Sequence, residues 1–286
     1  MALTAQAQKL ALFTVQPMTP TIGAEIEGID LSKPVSQSTI ADLRSALLEW
    51  KVLFFRDQDI TTDQHAAFAR QFGPLEIHPF NPIPKNHPEV SAITHDRDHP
   101  GRENVWHSDV TWSVAPSLGS ILRAVEVPPV GGDTLFADMY AAYDGLSDEV
   151  KAKIEGRMAV HDIGFYGKII RKRGNPAEIA DTERNYPPVE HPVAPVHPET
   201  GRKTLLLNPG FTRRIAGLEK EESDFLLAHL YAQARIPEYQ CRFRWQKNSI
   251  AFWDNRATQH YAVSDYWPAV RRVERVSIAG SKPRAN

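Results

Sequence analysis

Apolar residues recur at helical spacing at Ile40, Leu43, Leu47 and Trp50 behind Ser36 and Ser38, which predicts an amphipathic helix with a capped start. The unbroken apolar run Val52-Leu53-Phe54-Phe55 follows and reads as a short buried strand. Thr61-Thr62 predicts the cap of a second helix ending at Gly73-Pro74. Leu218, Phe225, Leu226 and Leu230 predict a third beyond Gly217, with Glu219, Glu221 and Glu222 at the end where the helix dipole favours negative charge. Elsewhere the period is two. Cys241, Phe243 and Trp245 alternate with Gln240, Arg242 and Arg244, and Ser249 to Trp253 follows a Lys247-Asn248 turn, so this segment is expected to form a hairpin. Near the C-terminal end Arg271, Val273, Arg275 and Ser277 share one strand face, while Arg272, Glu274, Val276 and Ile278 share the other. Two arginines therefore point the same way. Residues 162–200 are rich in proline, glycine and charge, have little periodicity and are too long for an ordinary connection; a lid or binding loop is expected there.

Composition narrows the class. The 286 residues are 42% hydrophobic and 24% charged, enough for one large domain with a sizeable core. No apolar run approaches the roughly 18 residues of a spanning helix. The 33 basic and 35 acidic side chains leave a net charge of -2, so no global field draws nucleic acid or a membrane surface. A lone cysteine, Cys241, excludes an intrachain disulfide framework and a thiolate-rich zinc site, and with no convincing signal peptide the chain is expected to be cytoplasmic. Any metal would be bound by nitrogen and oxygen. The 22 prolines and 16 glycines are scattered, with no repeat or linker, which favours many short elements in a single domain, 1–286.

Among eleven histidines, the stretch Trp106-His107-Ser108-Asp109-Val110-Thr111-Trp112 stands out. In an extended chain residues i and i+2 face the same side, so His107 and Asp109 offer an imidazole and a carboxylate to one point. A second histidine from a distant strand would complete the two-histidine, one-carboxylate face of non-haem iron oxygenases, which leaves positions open for cosubstrate and dioxygen. His260 is the best candidate, and eleven residues after it Arg271 begins the face that also holds Arg275. A guanidinium is suited to gripping a carboxylate through two parallel hydrogen bonds. His191 and His197, each followed by proline, read as strand-end or turn residues without chemistry. The Arg171-Lys172-Arg173 cluster reads as a solvated loop.

Four segments, Trp106 to Thr111, Gly131-Gly132-Asp133-Thr134-Leu135-Phe136, Asn208-Pro209-Gly210-Phe211-Thr212, and Trp253-Asp254-Asn255-Arg256 through Gln259-His260-Tyr261, carry a resemblance. From about Ile22 to Pro283 the chain resembles the Fe(II)/2-oxoglutarate dioxygenases of the taurine dioxygenase family, which also includes alkylsulfatases and phenoxyacetate-degrading enzymes. The resemblance implies a mainly β fold with flanking helices, a double-stranded β-helix (jelly-roll) core with the metal at its open end. It implies Fe(II) at His107, Asp109 and His260, 2-oxoglutarate held through its distal carboxylate by Thr134 and Arg271, dioxygen as oxidant, and a homodimer or homotetramer. Arg275 falls where the taurine enzymes meet the substrate sulfonate, His78 falls on another substrate contact, and Phe211 lines the same pocket. The chain departs from the taurine enzymes at two contacts to the amine end, having Asn81 in place of a tyrosine and Glu103 in place of an asparagine. The expected reaction is hydroxylation of a small anionic substrate, a sulfonate such as taurine or an alkyl sulfate, releasing succinate, carbon dioxide and sulfite or sulfate. An aryloxyalkanoate or other carboxylate hydroxylase, a non-catalytic jelly-roll binding protein and a metal-assisted hydrolase remain open alternatives; the last lacks an obvious general base beside the metal face.

Overall fold

The computed structural model describes residues 8–10, 12–80 and 86–285. An eight-stranded sheet runs in the spatial order Gln8–Lys9, Thr14–Pro17, Ala24–Glu27, Val52–Phe55, Ile250–Asp254, Gly119–Glu126, Arg271–Ile278, Val90–His95. Against it lies a three-stranded sheet ordered Gln240–Phe243, Thr134–Asp138, Thr258–Ala262. Apart from one parallel pair, Ala24–Glu27 with Val52–Phe55, all strand pairs are antiparallel. The last four strands in sequence, Gln240–Phe243, Ile250–Asp254, Thr258–Ala262 and Arg271–Ile278, alternate between the two sheets, which is the winding of a double-stranded β-helix. No helix among the described residues is long and apolar enough to cross a membrane.

The interior is built from alternate residues of both sheets. Val52, Phe54, Ala251 and Trp253 from the large sheet meet Phe136, Cys241 and Phe243 from the small one. The Phe54 and Phe243 rings stack at 4.0 Å and Phe136 lies 5.7 Å from Trp253. The opposite residues of the same strands, Leu53, Phe55, Ile250 and Phe252, pack beneath Gln37–Trp50 and Thr62–Arg70. Layers on both faces explain why Val52–Phe55 is apolar throughout rather than alternating. Both helices start where the sequence places them: Ser36 caps the first, and Thr61 and Gln64 form a reciprocal capping box on the second.

Three sequence expectations are corrected. Gln240–Phe243 and Ile250–Asp254 form no hairpin with each other. The first pairs with Thr134–Asp138, whereas the second is a central strand between Val52–Phe55 and Gly119–Glu126. The turn at Asn248, with φ of 63°, carries the chain from one sheet to the other. In the third helix, Lys220–Gln233, the buried stripe is Leu226, Leu227 and Leu230, and Phe225 is 80% exposed. Finally, residues 162–200 are not a uniform loop. Gly164–Arg173 and Pro176–Asn185 are helices packed on each other, while Val189–Pro192 is a strand and Val193 and His197 are buried in the body.

Candidate active site

His107 and His260 are directly opposed across an antiparallel bridge: His107 N–H donates to His260 O at 3.1 Å and His260 N–H to His107 O at 2.8 Å. Opposed residues in such a pair project to the same face, so residues far apart in sequence bring their rings to 4.2 Å. Asp109, two residues past His107, projects to that face as well. Between them, Ser108 turns away and donates to Thr258 O at 2.7 Å. One ligand atom from each of His107, Asp109 and His260 lies within 4.8 Å of the others. Asp109 Oδ1 stands 3.8 Å from His107 Nε2 and 3.9 Å from His260 Nε2.

The donor set fits a divalent first-row ion. His107 Nδ1 donates to Val105 O at 2.8 Å, which fixes the tautomer that leaves the Nε2 lone pair facing the cluster. Burial, reinforced by the nearby His107 and Arg275, pushes His260 down to about 3, so it is a neutral ligand. Burial alone would raise the Asp109 carboxyl; the Arg275 guanidinium, with the Ser120 hydrogen bond, outweighs it and holds the group well below the usual carboxylate range. Two imidazoles and one carboxylate form the facial set of non-haem iron sites.

Arg275 is not free in the way the sequence suggests. Its Nη1 donates to Asp109 Oδ1 at 2.7 Å, while Ser120 Oγ donates to Oδ2 at 3.0 Å. The Arg275 Nε has no partner among the described residues. Burial would lower the guanidinium, but Asp109, Tyr166 and Glu103 together raise it, so it stays cationic. A cavity of about 230 Å³ opens beside the cluster, walled by His78, Trp112, Tyr166, Phe211, Glu103 and Arg275. His78 Nδ1 accepts from Phe80 N–H at 3.3 Å, leaving Nε2 as the protonated donor, and burial with Arg275 nearby pushes the ring down to about 4. The helical pair supplies the outer wall. Tyr166 stacks on Phe80 at 4.9 Å, and Tyr186, just past the second helix, meets Phe80 at 4.9 Å and Trp112 at 5.5 Å.

On the other side of the cluster, inside the barrel, Thr134 and Arg271 face a narrower void with His107, His260 and Trp245. Arg271 is 5% exposed, and no acid pairs with its guanidinium among the described residues. Its charge lies over the Trp245 ring at 5.8 Å, and burial lowers it against weaker support from Tyr266 and Glu103. A buried cation without a carboxylate is costly unless an anion joins it. Thr134 Oγ1 accepts from Trp245 Nε1 at 2.9 Å, so its own hydrogen remains to be donated.

Glu103 lies between the two spaces and is tied to His95 at 3.3 Å; burial would raise it, but the His95 contact prevails and brings it to about 2. His95 in turn meets the Tyr266 hydroxyl at 2.7 Å. Neither His95 nor Tyr266 carries a sequence signal. Asn81 lies outside the described residues. His191 lies near the end of the strand Val189–Pro192 and His197 opens a turn closed by Gly201 N–H on its carbonyl, as the sequence suggests, but both are buried: His191 Nε2 meets the Thr111 and Ser113 carbonyls, and His197 Nε2 meets Asp254 Oδ2 at 3.0 Å. A separate cavity of about 500 Å³ beside His197, Thr204 and residues 281–284 is lined by none of the three ligands.

The markers noted in the sequence acquire structural reasons. Gly131 and Gly132 have φ of 82° and 72°, a left-handed turn that feeds Thr134 into its strand. Asn208 Oδ1 accepts from Phe211 N–H at 2.9 Å, closing the loop that presents Phe211 to the cavity, and its Nδ2 donates to Thr111 Oγ1 at 3.1 Å. Trp253 belongs to the interior, whereas Asp254 and Arg256 form a bidentate pair at 2.9 and 2.7 Å.

Residues 14–277 match the model of the family described as taurine catabolism dioxygenase TauD, TfdA family. An alkylsulfatase of Acinetobacter baylyi is 37% identical over 271 residues, 93% of this chain and 84% of that protein. An alpha-ketoglutarate-dependent sulfate ester dioxygenase of Pseudomonas putida is 36% identical over 274 residues, 94% of this chain and 90% of that protein. The crystal structure of a taurine dioxygenase from Burkholderia xenovorans superposes with a TM-score of 0.81 at 38% identity, covering 95% of this chain and 91% of that one.

Proposed function

Taking as premise that the chain belongs to the TauD, TfdA family of 2-oxoglutarate-dependent non-haem iron dioxygenases, we propose that it hydroxylates a sulfate ester or sulfonate with an apolar tail. The observation that carries this reading is the cavity itself, whose lining joins a buried guanidinium and a neutral imidazole donor with the rings of Trp112, Tyr166 and Phe211. Arg275, through its unpartnered Nε, and His78, through Nε2, receive the anionic head group. Phe211, Tyr166 and Trp112 hold the tail over the metal face. Glu103 is anionic and engaged by His95, so it repels a second negative charge at the far end of the substrate. The helices Gly164–Arg173 and Pro176–Asn185 act as a lid that excludes water.

Iron bound by His107, Asp109 and His260 supplies the activation of dioxygen that couples decarboxylation of 2-oxoglutarate to hydroxylation of the substrate. Arg271 and Thr134 fix the distal carboxylate of 2-oxoglutarate by a charge-assisted pair and a hydroxyl hydrogen bond, which orients its keto acid end toward the metal. Arg275 sets the substrate carbon nearest the metal by holding its anion. Hydroxylation at a carbon bearing the sulfate or sulfonate leaves a product that collapses to a carbonyl compound and releases sulfate or sulfite.

Succinate formation from 2-oxoglutarate under air, measured with Fe(II)-loaded protein against alkyl sulfates, alkanesulfonates, taurine and phenoxyalkanoates, tests the substrate class. Alkyl sulfates and long alkanesulfonates are expected to stimulate turnover, and taurine to do so weakly. The stacked rings around Phe80 also suit an aryl group, so a preference for phenoxyalkanoates would replace the sulfur-anion reading with the carboxylate one. Separately, Arg271→Ala removes a charge-assisted contact of about 1.5 to 3 kcal/mol, and the 2-oxoglutarate requirement is expected to rise about ten- to a hundredfold. An unchanged KM for 2-oxoglutarate would place the cosubstrate elsewhere.

A further inference from the structure

Three hydrogen bonds converge on Asn255. Its Oδ1 accepts from Asp109 N–H at 2.6 Å, and its Nδ2 donates to Asp109 O at 2.8 Å and to Ser117 O at 3.1 Å. A single buried side chain thus satisfies both backbone groups of the carboxylate ligand. The next residue explains why such a grip is needed: Val110 is β-branched yet has φ of 57°, a left-handed conformation such residues adopt only when their surroundings impose it. The chain turns sharply at this point, closed by Ser113 N–H on Val110 O at 2.9 Å, and the turn keeps both Asp109 and Trp112 on the cavity.

Asn255 sits in the tight turn closed by Ala257 N–H on Asp254 O, between Ile250–Asp254 of the large sheet and Thr258–Ala262 of the small one. His260 lies on the second of these strands. The side chain therefore ties the backbone of one ligand to the rigid turn that leads into another. Asp109's carboxylate has its own contacts from Arg275 and Ser120, but these act on side-chain oxygens and do not fix the peptide.

We propose that Asn255 is a positioning residue for the metal centre, setting the place of Asp109 relative to His260 without touching metal or substrate. The proposal rests on the metal reading of the His107, Asp109 and His260 cluster. Hydrogen-bond partners of ligating groups typically contribute ten- to a hundredfold in metal affinity, and here the partner acts on the ligand's backbone.

The test is Mn(II) binding to the metal-free full-length chain, followed by loss of the free-ion electron paramagnetic resonance signal. Asn255→Leu, near in size and unable to hydrogen-bond, is expected to weaken Mn(II) binding about ten- to a hundredfold. Gln58→Leu is the control. Gln58 also makes three hydrogen bonds to backbone, with Leu31, Ile29 and Arg56, but touches no part of the site. It should lower the melting temperature comparably while keeping wild-type Mn(II) affinity. Wild-type affinity in Asn255→Leu, or an equal loss in Gln58→Leu, overturns the positioning role. Should Asn255→Leu not fold, Asn255→Asp keeps the size and the acceptor, loses both donors, and is read by the same criterion. A wild-type chain that binds no Mn(II) would instead overturn the metal reading on which the proposal stands.

Discussion

Asp109→Ala is expected to abolish Fe(II)-dependent succinate formation and, in the same variant, to lower the stability of the metal-free protein by about 3 to 5 kcal/mol. The two losses have separate causes. Activity is lost because two imidazoles alone do not make the facial set that holds the ion and leaves cosubstrate positions open. Stability is lost because Arg275 would remain buried with its charge and without the carboxylate at 2.7 Å that now compensates it. Removing one member of a buried pair costs more than the pair itself contributes. For a chain of this size the change corresponds to a fall in melting temperature on the order of 10 °C. His107→Ala is the informative companion: it should abolish iron-dependent turnover equally, yet strand no buried charge, so its melting temperature should fall much less. Calorimetry of both variants without metal separates them. Equal stability losses would contradict the account of Arg275.

Asp254→Asn is expected to cost about 3 kcal/mol at neutral pH and to flatten the acid limb of the stability curve. Asp254 is 1% exposed and receives Arg256 through two nitrogens and His197 through one. Burial by itself would raise its carboxyl, but Arg256 and His197 hold it well below the usual carboxylate range. The sign follows from proton linkage. In the unfolded chain an aspartate takes up its proton near pH 4, whereas the folded chain keeps Asp254 ionised to lower pH. The unfolded state therefore binds more protons below that point, and stability falls as pH falls. The contribution is full above the ordinary aspartate range and is lost progressively as pH drops toward the depressed folded value. Asparagine lacks this term, so the difference between wild type and variant should be largest at pH 7 and shrink by pH 3. Urea denaturation at a series of pH values checks it. A constant difference across that range would mean that the ionic pairing of Asp254 is not what stabilises this turn.

Much of the site was legible because its residues are chemically unusual where they stand. A histidine and an aspartate two apart, a distant second histidine, and two arginines on one face of a single strand are hard to explain as surface decoration. The strand alternation of Arg271–Ile278 holds over its first half, where Arg271, Val273 and Arg275 are buried and Arg272 on the other face pairs with Glu126; at Val276 and Ile278 that other face is buried too. The contact of Arg275 with Asp109 was not legible. Nothing in the sequence separates an arginine waiting for a substrate anion from one already resting against Asp109.

Sequence by itself determined the local terms: which segments alternate, which helices have caps, and which residue types can bind a metal. These depend on side-chain chemistry and on neighbours a few positions away. Tertiary structure alone decided what depends on register and sheet assignment. It put Gln240–Phe243 and Ile250–Asp254 in different sheets, set His107 directly opposite His260, left Arg271 buried with no paired acid among the described residues, and brought Asn255 against the backbone of Asp109. The physical reason is that a strand's pattern says which face is inward but not which strand lies beside it. Pairing is chosen by the burial of both sheets at once, and the metal cluster exists only where that choice brings distant residues together.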